Sequence, residues 1–148
     1  MDREHYMSLA IENARDAANN GEVPVGCIIT DKDGNIIASS RNNCENMSDA
    51  TAHAEIEAIK QASAKLGSWR LNDCTLYVTL EPCPMCAGAI IQSRIPVIVY
   101  GAKDHHGGAC GSVINIFEEN FGHHPAIYGN VLGDDCRDLL SNFFRERR

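Results

Sequence analysis

The stretch from residue 75 to residue 100 constrains the fold more than any other part of the chain. Thr75-Leu76-Tyr77-Val78-Thr79-Leu80 is an apolar, β-prone run that reads as a buried strand. Glu81-Pro82-Cys83-Pro84 breaks it and starts a helix that runs to about Ser93. Residues 96–100 then read as another strand. A strand, a helix and a second strand in close succession imply parallel pairing, with the helix packed on the sheet.

The rest of the chain fits around that unit. Residues 3–19 carry Tyr6, Leu9, Ala10, Ala14, Ala17 and Ala18 at helical spacing, and Asn19-Asn20-Gly21 ends the pattern. Residues 23–30 and 36–40 read as two strands of a hairpin around the turn Asp31-Lys32-Asp33-Gly34-Asn35. Residues 42–49 read as a polar loop and 51–64 as a helix with Ile56, Ile59 and Ala62 on one face. After a glycine-rich loop at Gly107, Gly108 and Gly111 come a short helix near 113–117, a strand near 126–132 and a last helix from 134 to about 147. The expected fold is α/β: a three-layer α/β/α sandwich around a mixed five-stranded sheet, one domain over residues 1–148.

At 148 residues, with 44% hydrophobic and 22% charged residues, the chain has the composition of an ordinary globular protein. No apolar run approaches the roughly 20 residues of a membrane span, and the polar start is unlike an export signal. The expectation is a cytoplasmic protein. Its seven cysteines are an odd number without an export signal, which argues against a disulfide framework. Cys27 and Cys136 sit in apolar or amphipathic runs and read as buried small hydrophobes. The net charge of −7 speaks against a broad nucleic-acid surface, although Arg145, Arg147 and Arg148 gather at the end. Arginines there also suit a helix C-terminus.

Two short segments carry chemistry. His53-Ala54-Glu55 lies near the start of one helix, and Pro82-Cys83-Pro84-Met85-Cys86 opens another. Cys83 and Cys86 are three residues apart, so one helical turn puts both sulfurs on the same side. Thiolates are strong zinc ligands, and a helix N-terminus favours the thiolate form. His53 supplies a third ligand. Three protein ligands leave a tetrahedral position open, which separates catalytic from structural zinc sites. Glu55, two residues from a ligand, is placed for general acid–base work on a water at that position. A C-x-x-C alone also fits a redox pair or a structural half-site. Combined with His-x-Glu, it forms the H-x-E…P-C-x-x-C signature of zinc nucleobase deaminases.

The chain resembles the bacterial tRNA-specific adenosine deaminases (the TadA type), within the cytidine deaminase-like fold. The likeness covers Glu22-Val23-Pro24-Val25-Gly26, Thr51-Ala52-His53-Ala54-Glu55-Ile56, the run from Leu76 to Ala89, Tyr100-Gly101-Ala102-Lys103-Asp104 and Leu139-Leu140-Ser141-Asn142-Phe143-Phe144-Arg145. It implies a homodimer, one zinc per chain held by His53, Cys83 and Cys86, and conversion of adenosine to inosine at the first anticodon position. Glu55 would move a proton to N1 of the flipped adenine and another to the departing amine. The substrate contacts it implies are Asn42, Val25 and Ala54 at the base, and Asp104 and Phe144 at neighbouring nucleotides of the anticodon stem-loop. Arg145, Lys103 and Arg94 are phosphate candidates. On residue type alone, Asn42 is equally a turn amide, Val25 and Ala54 are core residues, and Phe144 packs its helix.

The chain departs from the usual pattern at Ala50, where proline is common, at His105-His106, and at the acidic Glu118-Glu119-Asn120. His105, His106, His123 and His124 read as loop residues, not extra ligands. Two rival functions remain on the sequence alone: a deaminase of free guanine or cytosine on the same scaffold, and a non-catalytic zinc module that binds RNA. The aromatic and basic end of the last helix favours RNA over a free base; Glu55 favours catalysis over a structural module.

Overall fold

The computed structural model describes residues 2–147. A first helix, α1 (Arg3–Asn19), leads into a hairpin of β1 (Gly26–Thr30) and β2 (Ile36–Arg41). A one-turn helix, α2 (Cys44–Met47), precedes α3 (Ala54–Leu66). Strand β3 (Thr75–Leu80), helix α4 (Pro84–Ser93) and strand β4 (Val97–Ala102) follow. A 3₁₀ turn (Ile116–Glu118), β5 (Ala126–Tyr128) and α5 (Gly133–Glu146) complete the order.

The sheet order is β2-β1-β3-β4-β5. β1 pairs antiparallel with both β2 and β3, whereas β3, β4 and β5 run parallel. The expected mixed five-stranded sheet is therefore present. α3 and α4 cover one face, where Ala54, Ala58, Ala62, Ala87, Ile90 and Ile91 pack on Ile29, Leu76, Val78 and Ile98. On the other face α1 and α5 bring Met7, Ala10, Ile11 and Cys136 against Ile28, Tyr77 and Val99. β3 and β4 are thus covered on both sides, which is why their sequences read as unbroken apolar runs. Each fully buried Leu or Ile here contributes roughly 2 kcal/mol of transfer free energy. α1 lies so close to β1 that a Cβ on Gly26 would stand 2.7 Å from the Ala14 amide nitrogen, a contact only glycine permits.

Several expected boundaries move. The strand expected from residue 23 starts at Gly26, because Val25 donates its amide to the Val23 carbonyl in a tight turn around Pro24. The polar loop at 42–49 contains α2. The helix expected over 51–64 spans Ala54–Leu66 and ends at Gly67 with a positive φ of 63°. The helix expected near 113–117 is the 3₁₀ turn, and the last strand is confined to Ala126–Tyr128. All seven cysteines are free thiols, with Cys27 and Cys136 buried. Among the described residues, no helix is long and apolar enough to cross a membrane.

Candidate active site

The two sequence motifs meet where α3 and α4 begin. His53 occupies the N-cap position of α3 and Cys83 that of α4, both with extended backbone. Neither uses its side chain as a cap, so imidazole and thiol are free to turn toward each other. The capping of α3 is delegated: the Ala54 amide donates to Asn42 Oδ1 at 2.8 Å. Pro84 takes the first position of α4, where its missing N–H costs nothing. Cys86 follows one turn into the helix and is fully buried.

His53 Nδ1 lies 3.6 Å from Cys83 Sγ and 3.5 Å from Cys86 Sγ. The three donor atoms fall within 4.8 Å of one another and could hold a metal ion. A tetrahedral zinc with Zn–S near 2.3 Å and Zn–N near 2.0 Å has N···S edges of about 3.5 Å, so spacing and donor chemistry both fit zinc. Among the described residues, no other cluster of histidine, cysteine and carboxylate side chains has this form. In particular, His123 and His124 bond to the carbonyls of Ile95 and Phe117, at 2.7 Å and 2.8 Å.

The electrostatics suit a cation at this point. The Cys83 thiol is pulled down to about 4, first by its hydrogen bond with Cys86 and then by His53. Cys86 is pushed up by sharing that bond with Cys83 and by burial. Two neighbouring thiols without a cation cannot both ionise; a bound dication removes that conflict. Glu55 is only 4% exposed, and burial raises its carboxyl to about 7. A carboxyl near neutrality can both accept and return a proton.

His53 and Cys83 of this cluster open onto a cavity of about 690 Å³. Of the residues expected at the substrate, Val25, Asn42 and Asp104 line it, together with His53, Glu55 and Cys83. Asp104 Oδ1 accepts the amides of His106 and Gly107, which curls the following loop around it. Ala54 is fully buried beneath the cavity and is not among the lining residues. Phe144 and Arg145 do not line it either; Phe143 and Arg147 do. Successive helical residues point about 100° apart, so Phe143 turns inward at 6% exposure while Phe144 faces out at 51%. The Arg147 guanidinium stacks 3.7 Å above the Phe143 ring. Lys103 borders other depressions, one with His105 and Ser112 and one with Asn130 and Arg137. Arg94 caps the far end of α4, donating to the Ile91 carbonyl at 2.7 Å.

Two lining residues, Glu22 and Glu81, are buried carboxylates with no counterpart among the expected site residues. Glu81 Oε1 accepts from the Asp104 amide at 3.1 Å and from the Ser112 hydroxyl. Its Oε2 accepts from the amides of Cys110 at 2.9 Å and Ser112 at 3.2 Å. Burial alone would push Glu81 up, but these bonds outweigh it and hold the carboxyl below its usual range. In all, Glu22, Glu45, Glu55, Glu81 and Asp104 line the cavity, against the single guanidinium of Arg147.

Comparison with known proteins agrees with this geometry. The family model of the MafB19-like deaminases matches residues 1–148. The tRNA-specific adenosine deaminase of Bacillus subtilis (strain 168) is 47% identical over 146 residues, 98% of this chain and 90% of that protein. A structure from a study of A-to-I editing by tRNA:A34 deaminases at the wobble position superposes with a TM-score of 0.88. It is 43% identical and covers 92% of this chain and 99% of its own. The guanine deaminase of Bacillus subtilis is more distant, with a TM-score of 0.67 and 34% identity over 99% of this chain and 94% of its own. The chain belongs to the MafB19-like deaminases and, within them, to the tRNA-specific adenosine deaminases.

Proposed function

We propose that the protein hydrolyses adenosine to inosine at the first anticodon position of a tRNA, with one zinc ion per chain held by His53, Cys83 and Cys86. The observation that carries this reading is a three-donor cluster beside the buried Glu55, opening onto a cavity large enough for a base. When bound, zinc supplies a Lewis acid that makes water a nucleophile near neutral pH.

The protein's own groups do the rest. Glu55 takes a proton from the attacking water and passes it to N1 of the adenine as the oxygen adds to C6. It then takes the remaining proton from the new C6 hydroxyl and gives it to the exocyclic nitrogen, so that the C6–N bond breaks, the C6 carbonyl of inosine forms and ammonia leaves. Asn42 has its Oδ1 committed to the Ala54 amide, so its Nδ2 is the group left to meet an acceptor on the base. Val25 offers an apolar wall, and Asp104 faces a neighbouring nucleotide from the opposite loop. The end of α5 meets the RNA backbone through Phe144 and Arg145 on its outer side, with Phe143 and Arg147 facing the base. A tRNA substrate accords with work in the cytoplasm. Residues 85–91, with Met85, Gly88 and Ala89 partly exposed, support a homodimer; a monomer by light scattering at micromolar concentration would contradict it.

The deciding experiment incubates the zinc-loaded protein with an anticodon stem-loop bearing adenosine at its first position, followed by sequencing for inosine. Conversion there, with free guanine and cytosine untouched, is expected. Turnover of a free base with inert RNA would transfer the reading to the guanine deaminase branch. Glu55→Ala keeps zinc and fold and loses about a thousandfold in rate; retained turnover would remove Glu55 from its role.

A further inference from the structure

Glu22 plays no part in the chemistry above, yet its carboxylate is only 1% exposed and borders the cavity. A buried carboxylate persists only if its oxygens are hydrogen-bonded. Glu22 Oε1 accepts the Glu45 amide at 3.1 Å, and Oε2 accepts the Asn46 amide at 2.8 Å. Both amides belong to α2. The local residue suited to receive them is Asn43, but it makes no capping bond. Its Oδ1 accepts instead from Asn46 Nδ2 at 3.1 Å. The turn is therefore held from 23 residues away along the chain.

Glu22 is itself anchored, because its amide donates to the Ala17 carbonyl of α1 at 2.9 Å. On its other side the same segment is joined to the reaction centre. The Asn43 amide donates to the Ala52 carbonyl at 2.9 Å, and the Asn42 amide to Val25 at 3.0 Å. Asn42 Oδ1 holds the Ala54 amide, one residue beyond His53. We infer that Glu22 is a positioning residue: by fixing α2 it sets the seat of the Asn42 side chain against the base, without touching substrate or metal. This inference rests on the proposed place of Asn42 at the base.

Glu22→Gln tests it, since glutamine keeps the volume and one acceptor but turns an NH₂ group toward one of the two amides. In the zinc-loaded variant, amide hydrogen exchange at Glu45 and Asn46 should speed up. kcat/KM on the anticodon stem-loop should fall about tenfold, while zinc content and the absorption bands of the cobalt-substituted protein stay unchanged. In an Asn42→Ala background the same change should add less than about twofold, because both act through one group. Glu22→Asp, which keeps the charge but not the reach, should show the same pattern more weakly. Unchanged exchange at Glu45 and Asn46, losses that multiply with those of Asn42→Ala, or altered cobalt bands would each overturn the inference. A wild-type protein that leaves the RNA unconverted would count against the substrate reading, and the exchange measurement would then decide the role of Glu22.

Discussion

Two buried carboxylates each hold part of the lining of one cavity, and they hold it very differently. Glu81 receives three amides and a hydroxyl from Asp104, Cys110 and Ser112. Next to it the Pro82 carbonyl receives the Ala109 amide at 2.8 Å. This wall is fixed through several bonds, within two residues of Cys83, one of the proposed zinc ligands. Glu22 receives two amides from a single helical turn. The wall beside the proposed metal donors is over-determined, and the wall that carries Asn42 rests on a lighter hold. Ligand geometry tolerates little error, whereas a surface that meets a flipped nucleotide benefits from some give.

Four substitutions sharpen or break that contrast. Glu81→Ala leaves four donors without an acceptor and should cost about 4 kcal/mol by chemical denaturation, with weaker zinc retention. Gly108→Ala should cost about 3 kcal/mol, because a Cβ there would meet the Glu81 carboxylate and stand 2.6 Å from the Asp104 carbonyl. Glu22→Ala should cost about 2 kcal/mol, in line with a lost helix cap, and leave zinc affinity intact. Ser112→Ala removes one of four donors to Glu81 and should cost about 1 kcal/mol. If Glu22→Ala proves as costly as Glu81→Ala, or releases zinc, the two walls are not distinct.

The candidate centre was legible in the sequence because its information is local. His53, Glu55, Cys83 and Cys86 fall in two short motifs, each at a helix start that Pro84 or the apolar spacing announces. The buried strands were legible for a similar reason, since an apolar run covered on both faces needs no partner to be recognised. The walls were not. Glu22 and Glu81 act on backbone amides 23 to 31 residues away, and an amide carries no residue type for a pattern to detect. α2 stayed hidden within 42–49 because its first amides are received by Glu22, far along the chain, and not by a local capping residue. The choice between Phe143 and Phe144 depends on the rotation of α5 against the sheet, which helical spacing leaves open to within one residue.

The charge of the cavity lining has a consequence for what can enter. Five carboxylates and one guanidinium surround a space large enough for a base. Phosphate carried into that space would meet repulsion from Glu45 and Asp104, neither of which is fully buried. Away from the cluster of His53 and Cys83, the acidic part of the rim would therefore disfavour phosphate while leaving a neutral heterocycle unopposed. On that reading a nucleotide would present its uncharged base to His53 and Cys83 and keep its phosphates outside the rim.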